Sequence, residues 1–281
     1  MRILLTGRQG QVGWELERAL APLGELVATE RASLELADAD AIRRVVRQAK
    51  PDLIVNAAAY TAVDRAESEP ELAMRINGAA PGILAEEAKR LGALLLHYST
   101  DYVFDGAKGA PYLESDAPNP LNHYGRSKLA GERAIVASGA RHLILRTSWV
   151  YGLRGKNFLL TILARARSGA PLRVVDDQHG TPNWCREIAA ATAQIVARHA
   201  DAQGVYHMSA AGETTWHGFA CAILQEAGIG TDVQSVTTAE FSAAVARPRY
   251  SVLDSAKLAR EIGIVLPDWR ESLHRGMAER E

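Results

Sequence analysis

The chain has 281 residues, 47% of them hydrophobic, and 32 Lys and Arg against 33 Asp and Glu leave a formal net charge of -1. This is the composition of a globular protein with room for one large domain or two smaller ones. Near-neutrality excludes a general nucleic-acid binder, and no apolar run reaches the roughly 18–20 residues of a membrane-spanning helix.

Apolar runs at 3–5, 26–29, 53–56, 94–99 and 142–147 alternate with amphipathic stretches at 12–21, 38–50, 70–90 and 124–138. Strands alternating with helices predict right-handed βαβ crossovers and a parallel sheet covered on both faces. Leu53-Ile54-Val55 and Leu94-Leu95-Leu96 lack polar alternation, as strands buried on both sides do. Between residues 104 and 123, Gly106, Gly109, Pro111, Pro118 and Pro120 leave no room for a regular element. This long loop lies between a core strand and the helix carrying Tyr124, so it is expected on the substrate side. Beyond Trp149, helices at 158–168, 186–198, 216–227 and 254–262 and short strands at 172–175 and 205–208 predict a smaller mixed region.

The opening Met1-Arg2-Ile3-Leu4-Leu5-Thr6-Gly7 enters a strand and a glycine turn directly, without the apolar stretch and cleavage site of a secretory signal. Cys185 and Cys221 show neither CxxC nor disulfide spacing, so two isolated buried thiols in a reducing cytoplasm are expected. The eight histidines have no HxxxH or HExxH spacing, and His123 and His179 read as polar loop residues rather than metal ligands.

Gly7, Gly10 and Gly13 fall between the first strand and the first helix. Small residues there permit a tight turn and let a pyrophosphate approach the backbone, where its charge meets the N–H groups of the helix N-terminus. The last glycine lets the helix pack closely on the sheet. An ordinary strand-to-helix turn is the bland alternative, but the placement favours a dinucleotide site. The expectation is therefore an α/β protein, with a Rossmann-type doubly wound parallel sheet over residues 1–150 and a smaller mixed α/β substrate-binding region over 151–281. Glu30, after the second strand, can hydrogen-bond the adenosine ribose, which favours NAD. Arg31 can neutralise a 2′-phosphate, which favours NADP, so NADPH and NADH both stay open. Asn56-Ala57-Ala58-Ala59-Tyr60-Thr61 closes the third strand with small residues that leave room for a flat ligand.

Tyr124 and Lys128 are four apart and share a helical face, where a lysine charge would lower the tyrosine pKa and make the phenol a proton donor near neutral pH. Ser99-Thr100 ends the fourth strand, and a hydroxyl there can hydrogen-bond a substrate carbonyl oxygen. Each signal alone is weak. In the order glycine turn, Asn-Ala-Ala, strand-end Thr and Tyr-x-x-x-Lys they point to a carbonyl reductase or a relative.

With these residues the sequence resembles the extended short-chain dehydrogenase/reductases, and within them the dTDP-4-dehydrorhamnose reductase family. The resemblance runs through segments 5–16, 56–64, 97–106, 121–132, 146–151, 177–182, 204–207 and 247–254, with Thr100-Asp101-Tyr102-Val103-Phe104 and Thr147-Ser148-Trp149-Val150-Tyr151 as its more specific blocks. It implies a cytoplasmic enzyme that reduces a 4-keto-6-deoxy dTDP-sugar with NAD(P)H to make dTDP-rhamnose for surface polysaccharides. Tyr124 would protonate the sugar oxygen, Lys128 would bind the nicotinamide ribose, and Thr100 would hydrogen-bond the reacting oxygen. Asp101, Tyr102 and Trp149 would join Thr100 in contacting the deoxyhexose. Gly10, Gln11 and Val12, beside Gly7, would lie under the pyrophosphate. Glu35 and Leu36 would flank the adenine, and Ala59, Tyr60 and Thr61 would line the cofactor cleft. Arg247 is either a grip on the substrate diphosphate or a surface ion pair.

Glu35 stands where the family usually has Asp, and Asn183-Trp184 where it commonly has Thr and a smaller residue. Some members are associated with Mg2+, for which the sequence names no ligands, and a homodimer is left open. The competing readings are a nucleotide-sugar epimerase or dehydratase, against which Asp101-Tyr102 replaces the dehydratases' Asp-Glu, and a non-catalytic dinucleotide-binding regulatory subunit.

Overall fold

The computed structural model describes residues 1–199, 201–241 and 245–280. Its first half runs β1 (Arg2–Thr6), α1 (Gln11–Leu20), β2 (Glu25–Thr29), α2 (Ala39–Ala49), β3 (Leu53–Asn56), α3 (Val63–Ala66), α4 (Pro70–Met74), α5 (Ala80–Leu91), β4 (Leu94–Thr100), α6 (His123–Ser138) and β5 (His142–Thr147). The second half holds β6 (Val150–Tyr151), α7 (Phe158–Arg167), β7 (Leu172–Val175), β8 (His179–Gly180), β9 (Asn183–Trp184), α8 (Cys185–Arg198) and β10 (Gly204–His207). It ends with β11 (Thr214–Thr215), α9 (Trp216–Glu226), β12 (Val233–Val236), α10 (Thr238–Phe241), α11 (Ala256–Ile262) and α12 (Trp269–Ala278).

The unbroken apolar runs are central strands because both of their faces are covered. Within β1, Ile3 and Leu5 pack toward Leu16 and Leu20 of α1 and Ile188 and Ile195 of α8. Leu4, between them in sequence, packs on the other face with Ile42 and Val46 of α2 and Leu84 of α5. The same alternation separates Leu96 from Leu95 in β4 and Leu145 from Ile144 in β5. Six parallel strands result, in the order β2-β1-β3-β4-β5-β10. The chain reverses its winding between β1 and β3, which opens a crevice at their carboxyl ends, where ligands of such sheets bind.

Two features depart from the sequence reading. The strand expected at 205–208 belongs not to a separate second region but to the main sheet, paired with β5. Tyr206 and Met208 bury with Leu145 and with Ile188 of α8, so the chain returns to the sheet before leaving it again. The helix expected over 70–90 is also interrupted, since Arg75–Ala79 forms a π turn between α4 and α5. Pro81 has no N–H to close the ladder, and the Asn77 side chain is engaged elsewhere, accepting from Tyr60 N at 2.8 Å and donating to Tyr60 O at 2.9 Å. Two smaller differences are α12, absent from the sequence reading although Trp269, Leu273 and Met277 recur every four residues, and Cys221. Cys185 is buried as expected, but Cys221 lies exposed on the outer side of α9.

The irregular segment 104–122 is pinned rather than loose. Tyr112 exchanges backbone bonds with Val252 and Asp254 at 2.8 and 2.9 Å, its ring stacks on Phe104, and its hydroxyl donates to Asp105 at 2.8 Å. Asn122 ends the loop by capping α6, its Oδ1 accepting from Gly125 N at 2.8 Å. Helix α6 is held to β5 by a buried two-point ion pair, in which Arg146 Nε and Nη2 donate to Glu132 Oε1 and Oε2 at 2.9 and 2.6 Å. Both side chains are about 5% exposed or less. Removing one partner strands the other charge in the core. Glu132→Ala is therefore expected to cost about 3–5 kcal/mol in urea unfolding, and Glu132→Leu with Arg146→Met to recover most of it. A single-variant loss below about 1 kcal/mol would exclude this role for the pair.

Candidate active site

The glycine turn is built for close approach. Gly7 has a φ of +77°, and a side chain on it would meet the Ala58 backbone at 2.8 Å. A Cβ on Gly13 would lie 2.0 Å from the Gly7 carbonyl oxygen, so only glycine lets α1 start this near the strand. No side chain caps α1, whose N-terminal N–H groups face the crevice at Gly10.

A cleft of about 940 Å³ opens there, and it collects every residue expected to hold the dinucleotide. Gly7, Gly10, Gln11 and Val12 form its floor beside α1, and Ala59, Tyr60 and Thr61 line it after β3. Tyr124 and Lys128 close one end. At the other, Glu30 accepts from Gln9 Nε2 at 2.5 Å, Arg31 pairs with Glu35 at 2.7 Å, and Leu36 adds apolar surface. Glu30 and Arg31 both line the cleft. The narrow glycine cradle and this lining fit a bound dinucleotide.

Sequence reasoning missed one wall of the cleft. Arg154 and Lys156, on the loop after β6, line it together with Trp14. The Arg154 and Arg18 guanidinium groups lie 3.4 and 3.5 Å from the Trp14 ring centre, a separation that requires opposite faces. No local pattern links positions 14 and 154; only the tertiary fold does.

At the sheet end, the Thr100 hydroxyl donates to Asp101 Oδ1 at 3.0 Å and lies near enough to the Tyr124 phenol to act on its titration. The Tyr102 ring meets Tyr124 edge-on at 5.5 Å. Burial pushes the Tyr124 phenol up to about 12, opposed by the Thr100 hydroxyl. This corrects the expectation that Lys128 lowers it. The Lys128 amine is turned to β4 instead, donating to Tyr98 O at 2.6 Å and lying 3.2 Å from His97 Nε2. Burial brings Lys128 down to about 8, against the pull of Glu132. Asp101 is pushed up to about 6 by burial, against the Ser251 and Thr100 hydroxyls.

Trp149 is one of two non-glycine residues with positive φ among the described residues, at +43°. Its indole stacks on Trp216 at 3.6 Å and 6°, and a Cβ on Gly180 would press into it at 2.4 Å. Asn183, flagged in the sequence as a departure, holds this turn. Its backbone N–H donates to Trp149 O at 3.2 Å, and its Nδ2 to Ser148 O and Thr181 O at 2.8 and 2.9 Å. Trp184 buries in the second core with Phe219 and Trp269. Arg247 pairs with Asp64 at 2.7 Å, near enough to Tyr102 to act on its phenol, so the ion-pair reading is realised beside the site. Among the described residues no group of three or more His, Cys, Asp or Glu is placed to hold a metal ion.

The profile described as "RmlD substrate binding domain" matches residues 1–281. The chain is 47% identical to the dTDP-4-dehydrorhamnose reductase of Burkholderia thailandensis, covering 96% of each chain. It is 44% identical to that of Escherichia coli K12, covering 99% of this chain and 98% of the other. A crystal structure of dTDP-4-dehydrorhamnose reductase from Bacillus anthracis in complex with NADP superposes with a TM-score of 0.95 at 34% identity, over 99% of both chains. The chain belongs to the dTDP-4-dehydrorhamnose reductase family.

Proposed function

We propose that this protein reduces the C4 ketone of dTDP-4-dehydro-6-deoxy-L-mannose to the alcohol of dTDP-L-rhamnose with NADPH or NADH. The observation that carries the reading is Tyr124 and Lys128 together at one end of a glycine-floored cleft, with Thr100 at the strand end beside the phenol. In this reading the reduced nicotinamide, when bound, supplies a hydride. Tyr124 donates its phenolic proton to the developing alkoxide, and Thr100, beside that phenol, orients the proton transfer. Lys128 serves the ribose and the phenolate that Tyr124 leaves behind. Asp101, Tyr102 and the Trp149 face form the sugar side, with Arg247 near enough to Tyr102 to meet a phosphate. Residues 1–150 hold the dinucleotide and 151–281 most of the sugar nucleotide, although 185–207 also completes the sheet. Two free thiols suit a reducing cytoplasm, and no helix among the described residues is long and apolar enough to cross a membrane.

Spectrophotometric oxidation of NADPH and NADH in parallel, with the 4-keto sugar nucleotide, tests the reaction. Net cofactor consumption separates a reductase from an epimerase, which returns its hydride. Tyr124→Phe is expected to lower kcat by about 10²–10⁴ and leave dinucleotide affinity within a few-fold; undiminished turnover would sink the assignment. Gly180→Ala should push the Trp149 indole aside and raise the sugar-nucleotide KM roughly tenfold with cofactor Kd unchanged. Asp101 binds its proton more tightly folded than unfolded, so its contribution to stability falls as pH rises from about 4 through about 6. Asp101→Asn is therefore expected to gain about 1–3 kcal/mol at pH 8 and little at pH 4, while weakening substrate binding. Equal effects at both pH values would show that this carboxylate is not strained by burial.

A further inference from the structure

Beneath the cleft, four side chains stand in file across the sheet: Thr6 on β1, Asn56 on β3, His97 on β4 and Lys128 on α6. The Thr6 hydroxyl donates to Asn56 Oδ1 at 2.6 Å. Asn56 Nδ2 lies 3.0 Å from His97 Nδ1, and His97 Nε2 lies 3.2 Å from Lys128 Nζ. All four are nearly solvent-free, at 1, 1, 1 and 2% exposure.

Donors and acceptors can be counted along this file. Thr6 Oγ1 already accepts from Ala58 N at 3.3 Å, so its single proton goes to Asn56 Oδ1. The Asn56 amide is thereby oriented with its N–H₂ toward His97, and His97 Nδ1 must accept. A neutral imidazole then carries its proton on Nε2 and aims it at the lysine nitrogen. A neutral amine suits that place: it accepts from Nε2–H, donates to Tyr98 O, and has one proton left for the cleft. An ammonium would set two donors against each other, in a core where unsatisfied polar contacts are costly.

We infer that His97 is a positioning residue, locked by Asn56 as the Nε2–H tautomer, that disfavours the ammonium form of Lys128 in the resting cleft and makes dinucleotide binding take up a proton. The inference rests on the dinucleotide reading of the cleft. Ribose hydroxyls offer the acceptors that the file withholds, so the neutral fraction of Nζ takes one proton from solvent and turns toward them, with no carbon bond made or broken. The full charge then stands beside Tyr124 only when cofactor is present, against the burial and the Asp101 charge that hold the phenol high in the resting site. The other charged or titratable groups near Lys128 do not supply this control. Glu132, on the same helix, is occupied by Arg146 of β5, and Asp101, after β4, bonds Thr100. The π turn before α5 presents the neutral Asn77, bonded to Ser127.

The test is NADPH binding to the full chain near pH 8.5, by calorimetry in two buffers of different ionisation enthalpy, where the 2′-phosphate is already fully ionised. With Lys128 at about 8 before binding, the wild type is expected to take up roughly half a proton or more per dinucleotide. His97→Leu removes the opposing N–H and should cut that uptake at least threefold. Asn56→Asp does the same without opening a cavity: a carboxylate only accepts, so His97 turns Nδ1–H to it and offers Nε2 to an ammonium that is charged from the start. Nitrogen NMR of the ligand-free wild type should show His97 as the Nε2–H tautomer. Binding without proton uptake, unchanged uptake in both variants, or the Nδ1–H tautomer overturns the inference and leaves the cleft assignment standing. Failure of NADPH to bind overturns both.

Discussion

Helix α6 carries a phenol, an amine and a carboxylate against the interior face of a parallel sheet, and everything at the reacting end depends on making that burial tolerable. The Glu132–Arg146 pair neutralises the carboxylate with two short bonds, and Arg146 reaches on to within 3.5 Å of His207 Nε2. Burial and Arg146 hold His207 neutral, down to about 3, so the guanidinium does not meet a second cation. His207 Nδ1 in turn bonds the Tyr112 carbonyl of the irregular loop. One electrostatic requirement thus links the helix that carries Tyr124, the last two strands of the sheet and the irregular loop before that helix.

The sugar side follows a different logic, based on shape rather than charge. A tryptophan with positive φ is unfavourable by itself, and here it is over-determined by an indole stacked on one face, a glycine that yields its Cβ space, and an asparagine bonded to three surrounding carbonyls. That arrangement draws on β8, β9 and the start of α9, which explains why the mixed second half exists. It makes the Trp149 indole a rigid apolar plate. The near-zero net charge of the chain has a counterpart in the cleft, where helix N–H groups and a few placed arginines stand in for a basic surface.

Much of this was legible in the amino-acid order. Five strands and the helices between them follow from uninterrupted apolar runs, because a doubly covered parallel strand leaves that mark. The glycines before α1 and the residues Tyr124 and Lys128 could be placed on one cleft, since each sits at a strand end or on a single helical turn. Less was visible wherever contact crosses long separations. Arg154 over Trp14, Trp216 behind Trp149 and the return of β10 to the sheet carry no local periodicity. The π turn at Asn77 was hidden for a related reason: its side chain bonds to Tyr60, a partner on another element.

The sequence by itself determined five strands of the sheet, the glycine turn before α1 and the identity of the groups able to move a proton, because these depend on patterns spanning a few residues. Only the tertiary structure decided their state. Burial sets the Tyr124 phenol high and the Lys128 amine low, and the donor count along Thr6, Asn56 and His97 directs the lysine away from the tyrosine it was expected to activate. Protonation depends on what surrounds a group in three dimensions, and spacing along a chain carries no record of desolvation.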